Sequence, residues 1–221
     1  MTARRGLILA LALFALVVCI GLLSQAGVLA PIDEFGIRAV GFLRRLPGAG
    51  LVSTLSVWLH WLGGSGGRLL IAMTLGMFLA RAGRSDEMAW LLLAVTGVML
   101  LNPLIKLAFA LPRPIVFFPT EIFETSYGFP SGHAAGAMTL YGAIALLTRL
   151  RLVQLFCLGM ILATGASRVW LGVHWPSDVA GGWLEGAAWL LAILPLRHPA
   201  MPPPSASGGS VAGAGASPDR A

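Results

Sequence analysis

Long apolar stretches recur along this chain, and short polar or glycine-rich segments separate them. An α-helix needs about 20 predominantly apolar residues to cross the hydrocarbon core of a bilayer. The pattern predicts six spanning helices, of which the second is short and would borrow residues from before it: 6–26, 68–79, 88–110, 131–147, 152–170 and 176–196. We therefore expect an all-α, polytopic membrane protein with a six-transmembrane-helix bundle.

The segment between the first two spans has a different pattern. Over residues 33–64, arginine and tryptophan are spread among apolar residues, which is typical of amphipathic helices that lie at the membrane interface. The glycine-rich stretch 63–67 predicts a flexible break. The first apolar stretch imitates a secretory signal, but its apolar part, residues 7–23, exceeds the roughly 7–15 residues of a signal core. We expect it to remain as the first spanning helix.

Composition supports this division of the chain. Hydrophobic residues make up 57% and charged residues 11%, which excludes an ordinary soluble domain. The stretch 199–221 is rich in Pro, Gly, Ser and Ala, and we predict a disordered tail there. Residues 1–198 would form one membrane domain. Cys19 and Cys157 lie in apolar stretches and show neither disulfide nor metal-site spacing.

The net charge of +6 comes mostly from arginines in short loops beside apolar stretches. No basic patch with interleaved aromatic residues occurs, so we expect no nucleic-acid partner. Positive residues favour the cytoplasmic side. With six spans, one side collects these arginines: Arg4, Arg5, Arg81, Arg84, Arg149, Arg151 and Arg197. This predicts a multi-pass plasma-membrane protein with both termini in the cytoplasm and the loops 111–130 and 167–178 on the extracytoplasmic face.

The segment 167–178 carries the first candidate chemistry. His174 and Asp178 are four residues apart, and Pro176 between them is suited to open the next helix. Asp178 would then lie one turn inside that helix, within reach of the His174 ring. A carboxylate on one ring nitrogen fixes the tautomer, which leaves the other nitrogen available as nucleophile, base or metal ligand.

A second motif, Pro130-Ser131-Gly132-His133, opens the predicted fourth helix. Ser131 is suited to cap it, Gly132 permits close approach to the backbone, and a helix N-terminus is a natural anion site. Taken alone, this is also what a capped helix with an interfacial histidine would show.

Three cations are predicted on the same membrane face: Lys106, Arg113 and Arg168. Alone, Lys106 and Arg113 would be explained by snorkelling of helix-end cations to the interface. Together with the helix N-terminus, the three cations form a site suited to a dianionic phosphoryl group. One histidine, held by Asp178, could attack phosphorus, while the other protonates the leaving oxygen. Positioned cations would stabilise the transition state, so no metal or other cofactor is expected, and Glu121 and Glu124 are expected to be solvated or gating.

The residues between 106 and 178 resemble the three-part signature of the type 2 phosphatidic acid phosphatase (PAP2) superfamily. The parts are K-x6-R-P from Lys106, P-S-G-H from Pro130 and S-R-x5-H-x3-D from Ser167, in this order and complete. The resemblance implies that His174 is the nucleophile that forms a phosphohistidine, that Asp178 orients it and that His133 is the general acid. It also implies the following phosphate-binding set: Lys106, Arg113, Ser131, the Gly132 amide and Arg168.

The resemblance further implies a metal-independent hydrolase, an integral-membrane lipid phosphatase of the PAP2 acid phosphatase type. Its partners would be the bilayer and a phosphorylated lipid, such as undecaprenyl pyrophosphate, phosphatidylglycerol phosphate or phosphatidic acid. Two alternatives stay open at this point: a lipid-linked phosphotransferase, and a non-catalytic or transport protein on the same fold. Vanadate-dependent haloperoxidases resemble the same anion site, but they are typically soluble and longer.

Overall fold

A computed structural model describes residues 3–116, 118 and 120–197. Throughout these residues every regular element is a helix, and no strand occurs, which confirms the all-α prediction. The predicted disordered tail, 199–221, lies outside the described residues. The helices are α1 (Ala3–Gln25), α2 (Ala30–Leu43), α3 (Ala49–Gly63), α4 (Ser65–Arg81), α5 (Ser85–Phe109), α6 (Gly132–Leu147), α7 (Arg151–Trp170) and α8 (Pro176–Ile193), followed by a 3₁₀ turn, Leu194–Leu196.

Several helix ends follow from local chemistry. The Ser131 hydroxyl accepts a hydrogen bond from the Ala134 amide at 3.4 Å and caps α6, as predicted. Pro176 is the first residue of α8, also as predicted. α5 ends where Ala110 adopts a left-handed conformation with φ of 50°.

The predicted flexible break at residues 63–67 is wrong in its extent. Helix α3 continues through Gly63, α4 already begins at Ser65, and the two axes differ by 64° across Gly64 alone. Gly67 packs against the end of α3, and a Cβ at this position would lie only 2.7 Å from the Trp61 carbonyl oxygen. The glycines therefore permit close packing of one helix end on the next.

Within the described residues, four helices, α1, α5, α7 and α8, are long and apolar enough to cross a membrane, and the bent α3–α4 pair would add a fifth span if it crosses as one. Helix α6 is apolar but has only 16 residues. Large apolar side chains such as Leu11, Leu100 and Leu152 are exposed on the surface of the bundle, as a lipid-facing surface requires. The chain is thus a multi-pass helical membrane protein, while the count of six spans stays a prediction.

The helices pack around α6, which contacts α5, α7 and α8, and α1 packs along α8. At one end of the bundle, Trp90 donates to the Ile193 carbonyl at 2.9 Å and Arg84 donates to the Leu147 carbonyl at 3.3 Å. We call the other end, which carries α2, α3, the segment 110–131 and the turn 171–175, the site end. There the Asp33 carboxylate of α2 accepts hydrogen bonds from the Ser177 amide and hydroxyl at 2.8 and 2.6 Å.

Candidate active site

The His174–Asp178 pair lies where the turn 171–175 enters α8. The Asp178 Oδ2 atom is 3.1 Å from His174 Nδ1, and it accepts a hydrogen bond from the Trp175 amide at 3.0 Å. Both side chains are buried, with 2% and 1% of their surfaces exposed. The sequence prediction that one helical turn brings the carboxylate to the imidazole is confirmed. Because the carboxylate faces Nδ1, this nitrogen carries the proton in the neutral ring.

The second nitrogen of His174 faces a guanidinium group. Arg113 Nη1 lies 3.1 Å from His174 Nε2 and donates to the Val173 carbonyl at 2.6 Å. A guanidinium can only donate, so Nε2 presents a lone pair. Burial lowers the pKa of His174 well below its ordinary value, and the charges of Arg113 and Lys106 lower it further. His174 is therefore an uncharged imidazole at neutral pH.

Lys106 and Arg113 are held by backbone carbonyls of the segment 110–131. Lys106 Nζ donates to the Tyr127 and Gly128 carbonyls at 2.5 and 2.9 Å, and Arg113 Nε donates to the Ser126 carbonyl at 2.7 Å. These bonds direct both cations inward. Snorkelling, the alternative explanation for Lys106, does not describe its position.

A cavity of about 160 Å³ lies between these groups and the start of α6. Five of the eight residues predicted for the site line it: Lys106, Arg113, Gly132, His133 and His174. Asp178 lies behind His174. Ser131 is fully buried, and its amide donates to the Asp178 carbonyl at 2.9 Å, which joins the start of α6 to the start of α8.

Arg168, the last predicted cation, is fully buried and faces α3. Its Nη1 atom lies 2.9 Å from His60 Nδ1, its Nη2 atom donates to the Ser56 carbonyl at 3.2 Å, and both Nε and Nη2 donate to the Ser167 hydroxyl. Arg168 does not line the cavity; its side chain contacts His60 and Ser56 of α3 instead.

His60 is a site residue that sequence reasoning missed. Its ring stacks on the His133 ring with a centroid distance of 4.9 Å and an interplanar angle of 22°. Its carbonyl oxygen lies 3.2 Å from His133 Nε2. The sequence placed His60 in the interfacial stretch, and no spacing relates it to the motifs around residues 106–178.

A buried polar group beneath the start of α6 was also missed. Arg68 Nη1 donates to the Gly132 carbonyl at 2.5 Å. Asn102 Nδ2 donates to the Pro130 carbonyl at 3.3 Å and to Glu185 Oε2 at 2.7 Å. A hydrophobicity pattern treats all three side chains as exceptions within spanning helices, although buried charges in such helices commonly mark a site.

One group of side chains, His60, Glu124 and His133, has the composition of a metal site, with ligand atoms within 4.8 Å of one another. Its surroundings are cationic, because Arg168 faces the same His60 nitrogen and Arg113 Nη2 lies 3.6 Å from Glu124 Oε2. Positive charges beside the ligand atoms disfavour a metal cation. The arrangement fits an anion better.

The fold and the site together define a class: helical membrane proteins with a cationic cavity that presents an uncharged, carboxylate-bound histidine. The family model of the PAP2 superfamily matches residues 87–202, more than half of the chain, and the chain belongs to this superfamily.

Two curated relatives illustrate the similarity in sequence. The chain is 39% identical over 107 residues to the undecaprenyl-diphosphatase of Sulfolobus acidocaldarius, covering 44% of this chain and 48% of that protein. It is 36% identical over 92 residues to the undecaprenyl-diphosphatase BcrC of Bacillus subtilis, covering 39% and 47%. The matches span about half the length of these curated relatives.

The crystal structure of a transmembrane PAP2-type phosphatidylglycerolphosphate phosphatase from Bacillus subtilis superimposes with a TM-score of 0.71. The two chains are 27% identical, and the match covers 84% of this chain and 92% of the crystallised one.

Proposed function

We propose that this chain is an integral-membrane lipid phosphatase that hydrolyses a phosphomonoester or pyrophosphate on a lipid head group. The observation that carries the proposal is the state of His174. Asp178 holds Nδ1, and Nε2 presents its lone pair to a cavity lined by Lys106, Arg113 and His133. A neutral nucleophile facing a cationic cavity is suited to attack a phosphorus atom whose oxygens are negatively charged.

In the first step, His174 Nε2 forms a bond to phosphorus while the bond between phosphorus and the leaving oxygen breaks. Asp178 stabilises the positive charge that develops on the imidazole. Lys106, Arg113 and the Gly132 amide bind the phosphoryl oxygens, and His133 gives its proton to the leaving oxygen. Arg168 and Ser131 are assigned to the phosphate-binding set because they occupy its signature positions.

In the second step, His133 takes a proton from a water molecule, and this water attacks the phosphohistidine. The N–P bond breaks, which returns His174 to its neutral form and releases inorganic phosphate. The negative charge of the transferring group is balanced by protein cations at each stage, so the mechanism requires no metal.

The cavity also meets the lipid-facing surface. Met99 and Pro103 of α5 line it, while their neighbours Leu100 and Leu104 are 73% and 64% exposed. A lipid could place its head group in the cavity while its tail stays in the bilayer. The names of the relatives, undecaprenyl-diphosphatase and phosphatidylglycerolphosphate phosphatase, support lipid phosphates and diphosphates as substrates, with phosphatidic acid as a further candidate.

For topology we propose six spans with both termini in the cytoplasm and the site end on the extracytoplasmic face of the plasma membrane. In support, Arg81, Arg84, Arg149 and Arg151 lie at helix ends away from the site end. In a cysteine-free background, Gly48→Cys should react with an impermeant maleimide in intact cells, and Gly83→Cys should react only after permeabilisation. The reverse pattern would invert the topology.

The activity is tested by phosphate release from the purified protein in detergent with EDTA, using undecaprenyl pyrophosphate, phosphatidylglycerol phosphate and phosphatidic acid. We expect phosphate release, and His174→Ala should abolish it. His198→Ala, which changes a histidine outside the signature, should leave the release unchanged. The phosphoryl-enzyme should be acid-labile and base-stable. No release from any lipid, or release that persists in His174→Ala, would contradict the proposal. A new phosphorylated product on addition of a lipid alcohol would instead indicate a phosphotransferase.

A further inference from the structure

The cavity extends past His133 to the first turn of α4, where Ser65 and Arg68 line it. Neither residue belongs to the PAP2 signature. Because α4 begins at Ser65, the amide groups of its first turn have no acceptor within the helix, and Ser65 in this turn lines the cavity. A helix N-terminus and an arginine thus meet on the side of His133 that faces away from α8.

Arg68 is fixed in place yet keeps bonding capacity. Its side chain is buried, with 5% of its surface exposed. Nη1 donates to the Gly132 carbonyl at 2.5 Å, and Nη2 donates to the Ser65 hydroxyl at 3.3 Å. The guanidinium packs directly on α6, where a Cβ at Gly136 would overlap it. Among the described residues, the buried Nε atom has no hydrogen-bond partner.

A purely structural account of Arg68 exists. Its charge is attracted to that of Glu185, and the Glu185 Oε1 atom is also buried without a partner in the described part of the chain. No ion pair joins the two side chains within those residues, and Asn102 holds the other Glu185 oxygen. Arg68 would then only support the start of α6, and its loss would harm every substrate alike.

The binding account and the structural account of Arg68 predict different effects on substrates with different leaving groups. With a lipid monophosphate, the leaving oxygen becomes an alcohol, whose pKa is close to that of water and far above neutral pH, so it needs a proton from His133. With a lipid diphosphate, the bridging oxygen leaves on a lipid monophosphate, whose second pKa is about 6. That group leaves as an anion and needs a cation next to it. Such an anion would lie beyond His133, where Arg68 and Ser65 line the cavity.

We propose that Arg68, with Ser65 and the first turn of α4, forms a subsite for the leaving phosphate of lipid diphosphates and makes them preferred substrates over lipid monophosphates. The inference rests on the proposed function. It adds a group outside the signature that determines the substrate class.

The test compares two substrates with the same tail, farnesyl diphosphate and farnesyl monophosphate, in detergent micelles. Initial rates are measured by separating the lipid products, and the readout is the ratio of the two kcat/KM values. Because both rates come from one preparation, the folded fraction cancels from the ratio. We expect Arg68→Gln to lower kcat/KM for the diphosphate about thirty-fold or more and for the monophosphate about three-fold or less.

Arg68→Lys should recover part of the diphosphate rate because it keeps the charge without the planar fork. Arg81→Gln, at the exposed far end of the same helix, should leave the ratio unchanged. Equal losses on both substrates in Arg68→Gln and Arg68→Lys, complete loss included, would overturn the subsite and favour the structural account. A wild-type enzyme that hydrolyses neither substrate would instead contradict the proposed function.

Discussion

The cavity has two walls of different origin. The signature wall, formed by Lys106, Arg113 and His174, comes from the end of α5, the segment that follows it and the turn before α8. The α3–α4 wall presents Ser65 and Arg68 to the cavity, with His60 stacked on the lining residue His133. Helices α3 and α4 contain none of the signature residues. In the proposed reaction the first wall holds the transferred phosphoryl group and the second faces the leaving group. A motif can therefore identify the chemistry of a family while other elements choose its substrate.

The two walls also differ in how their cations are held. On the signature wall, backbone carbonyls of residues 126–128 hold Lys106 and Arg113. Carbonyl dipoles orient a cation without neutralising it, which suits a site that must stabilise charge in the transition state. On the other side, side chains share this role with carbonyls: the Ser65 hydroxyl and the Gly132 carbonyl hold Arg68. His60 shares Arg168 with the Ser167 hydroxyl and the Ser56 carbonyl. Because several partners hold each of these arginines, substitution of one partner should have a graded effect.

The largest expected effect compares two carboxylates that bond to groups near the start of α8, one from α8 itself and one from α2. Asp178 bonds to His174, whereas Asp33 bonds only to Ser177 among the contacts described. Asp178→Asn should lower kcat about a thousand-fold, because the imidazolium loses its counter-charge. Asp33→Asn should change kcat per folded molecule by about three-fold at most. Steady-state kcat of the two variants is measured on one lipid substrate, and the folded fraction is measured separately. Similar losses of kcat in both variants would contradict the different roles of Asp178 and Asp33.

A smaller effect is expected at His60. His60→Phe keeps an aromatic ring beside His133 but removes the acceptor for Arg168 Nη1. An unpaired buried donor costs about 1–3 kcal/mol, so kcat should fall roughly five- to 150-fold. His60→Gln, whose amide oxygen can accept the same hydrogen bond, should retain most of the activity. Equal activity of the Phe and Gln variants would mean that the bond to Arg168 has no part in turnover.

Glu124 offers a several-fold effect. Its carboxylate lines the cavity and lies 3.6 Å from Arg113 and 3.9 Å from His60, so it competes with an anion for the same cations. Glu124→Gln should lower the inhibition constant of inorganic phosphate about five-fold. Glu121→Gln is the matched control, since Glu121 pairs with Arg44 at 2.7 Å and lies outside this cavity. Unchanged phosphate inhibition in Glu124→Gln would contradict this competition.

The smallest effect concerns pH. Activity needs neutral His174, so it declines as pH falls through the His174 pKa, which burial and then Arg113 hold well below 6.5. Arg113→Gln removes a positive charge and should raise this pKa, which moves the acid limb of kcat/KM to higher pH by about half a unit. Lys106→Gln should move it less. All three proteins, the wild type and the two variants, are measured with the same substrate, so the titration of the substrate affects them equally. Identical acid limbs in the three pH profiles would mean that a group other than His174 causes the decline.

Local rules were sufficient for one part of the signature wall, the His174–Asp178 pair, but not for Lys106 and Arg113, which such rules alone would explain by snorkelling. A proline that opens a helix and an aspartate two residues later place a carboxylate beside the preceding histidine, whatever the rest of the fold does. Ser131 at its helix start is equally local. The sequence could therefore predict the His174–Asp178 pair and the α6 cap, and the structure confirms both.

The α3–α4 wall depends on packing between distant segments. Arg68 meets the Gly132 carbonyl 64 residues away, and Arg168 meets His60 across 108 residues. No periodicity encodes such contacts. The bend at Gly64 was misjudged for a related reason, because a run of glycines is equally compatible with flexibility and with close packing. Here the glycines permit close packing, because α4 begins directly after Gly64, and this is visible only in the packed structure.

The bonds between Asp33 and Ser177 bear on how the protein is made. Their partners are 144 residues apart, and α1, the first of the described helices, packs along α8, the last described α-helix. At about 5–20 residues per second, the ribosome needs on the order of ten seconds to reach Ser177 after Asp33. During that interval α1 and α2 lack their contacts with α8. These contacts, like the His174–Asp178 pair at the start of α8, therefore form only after this part of the chain has been synthesised.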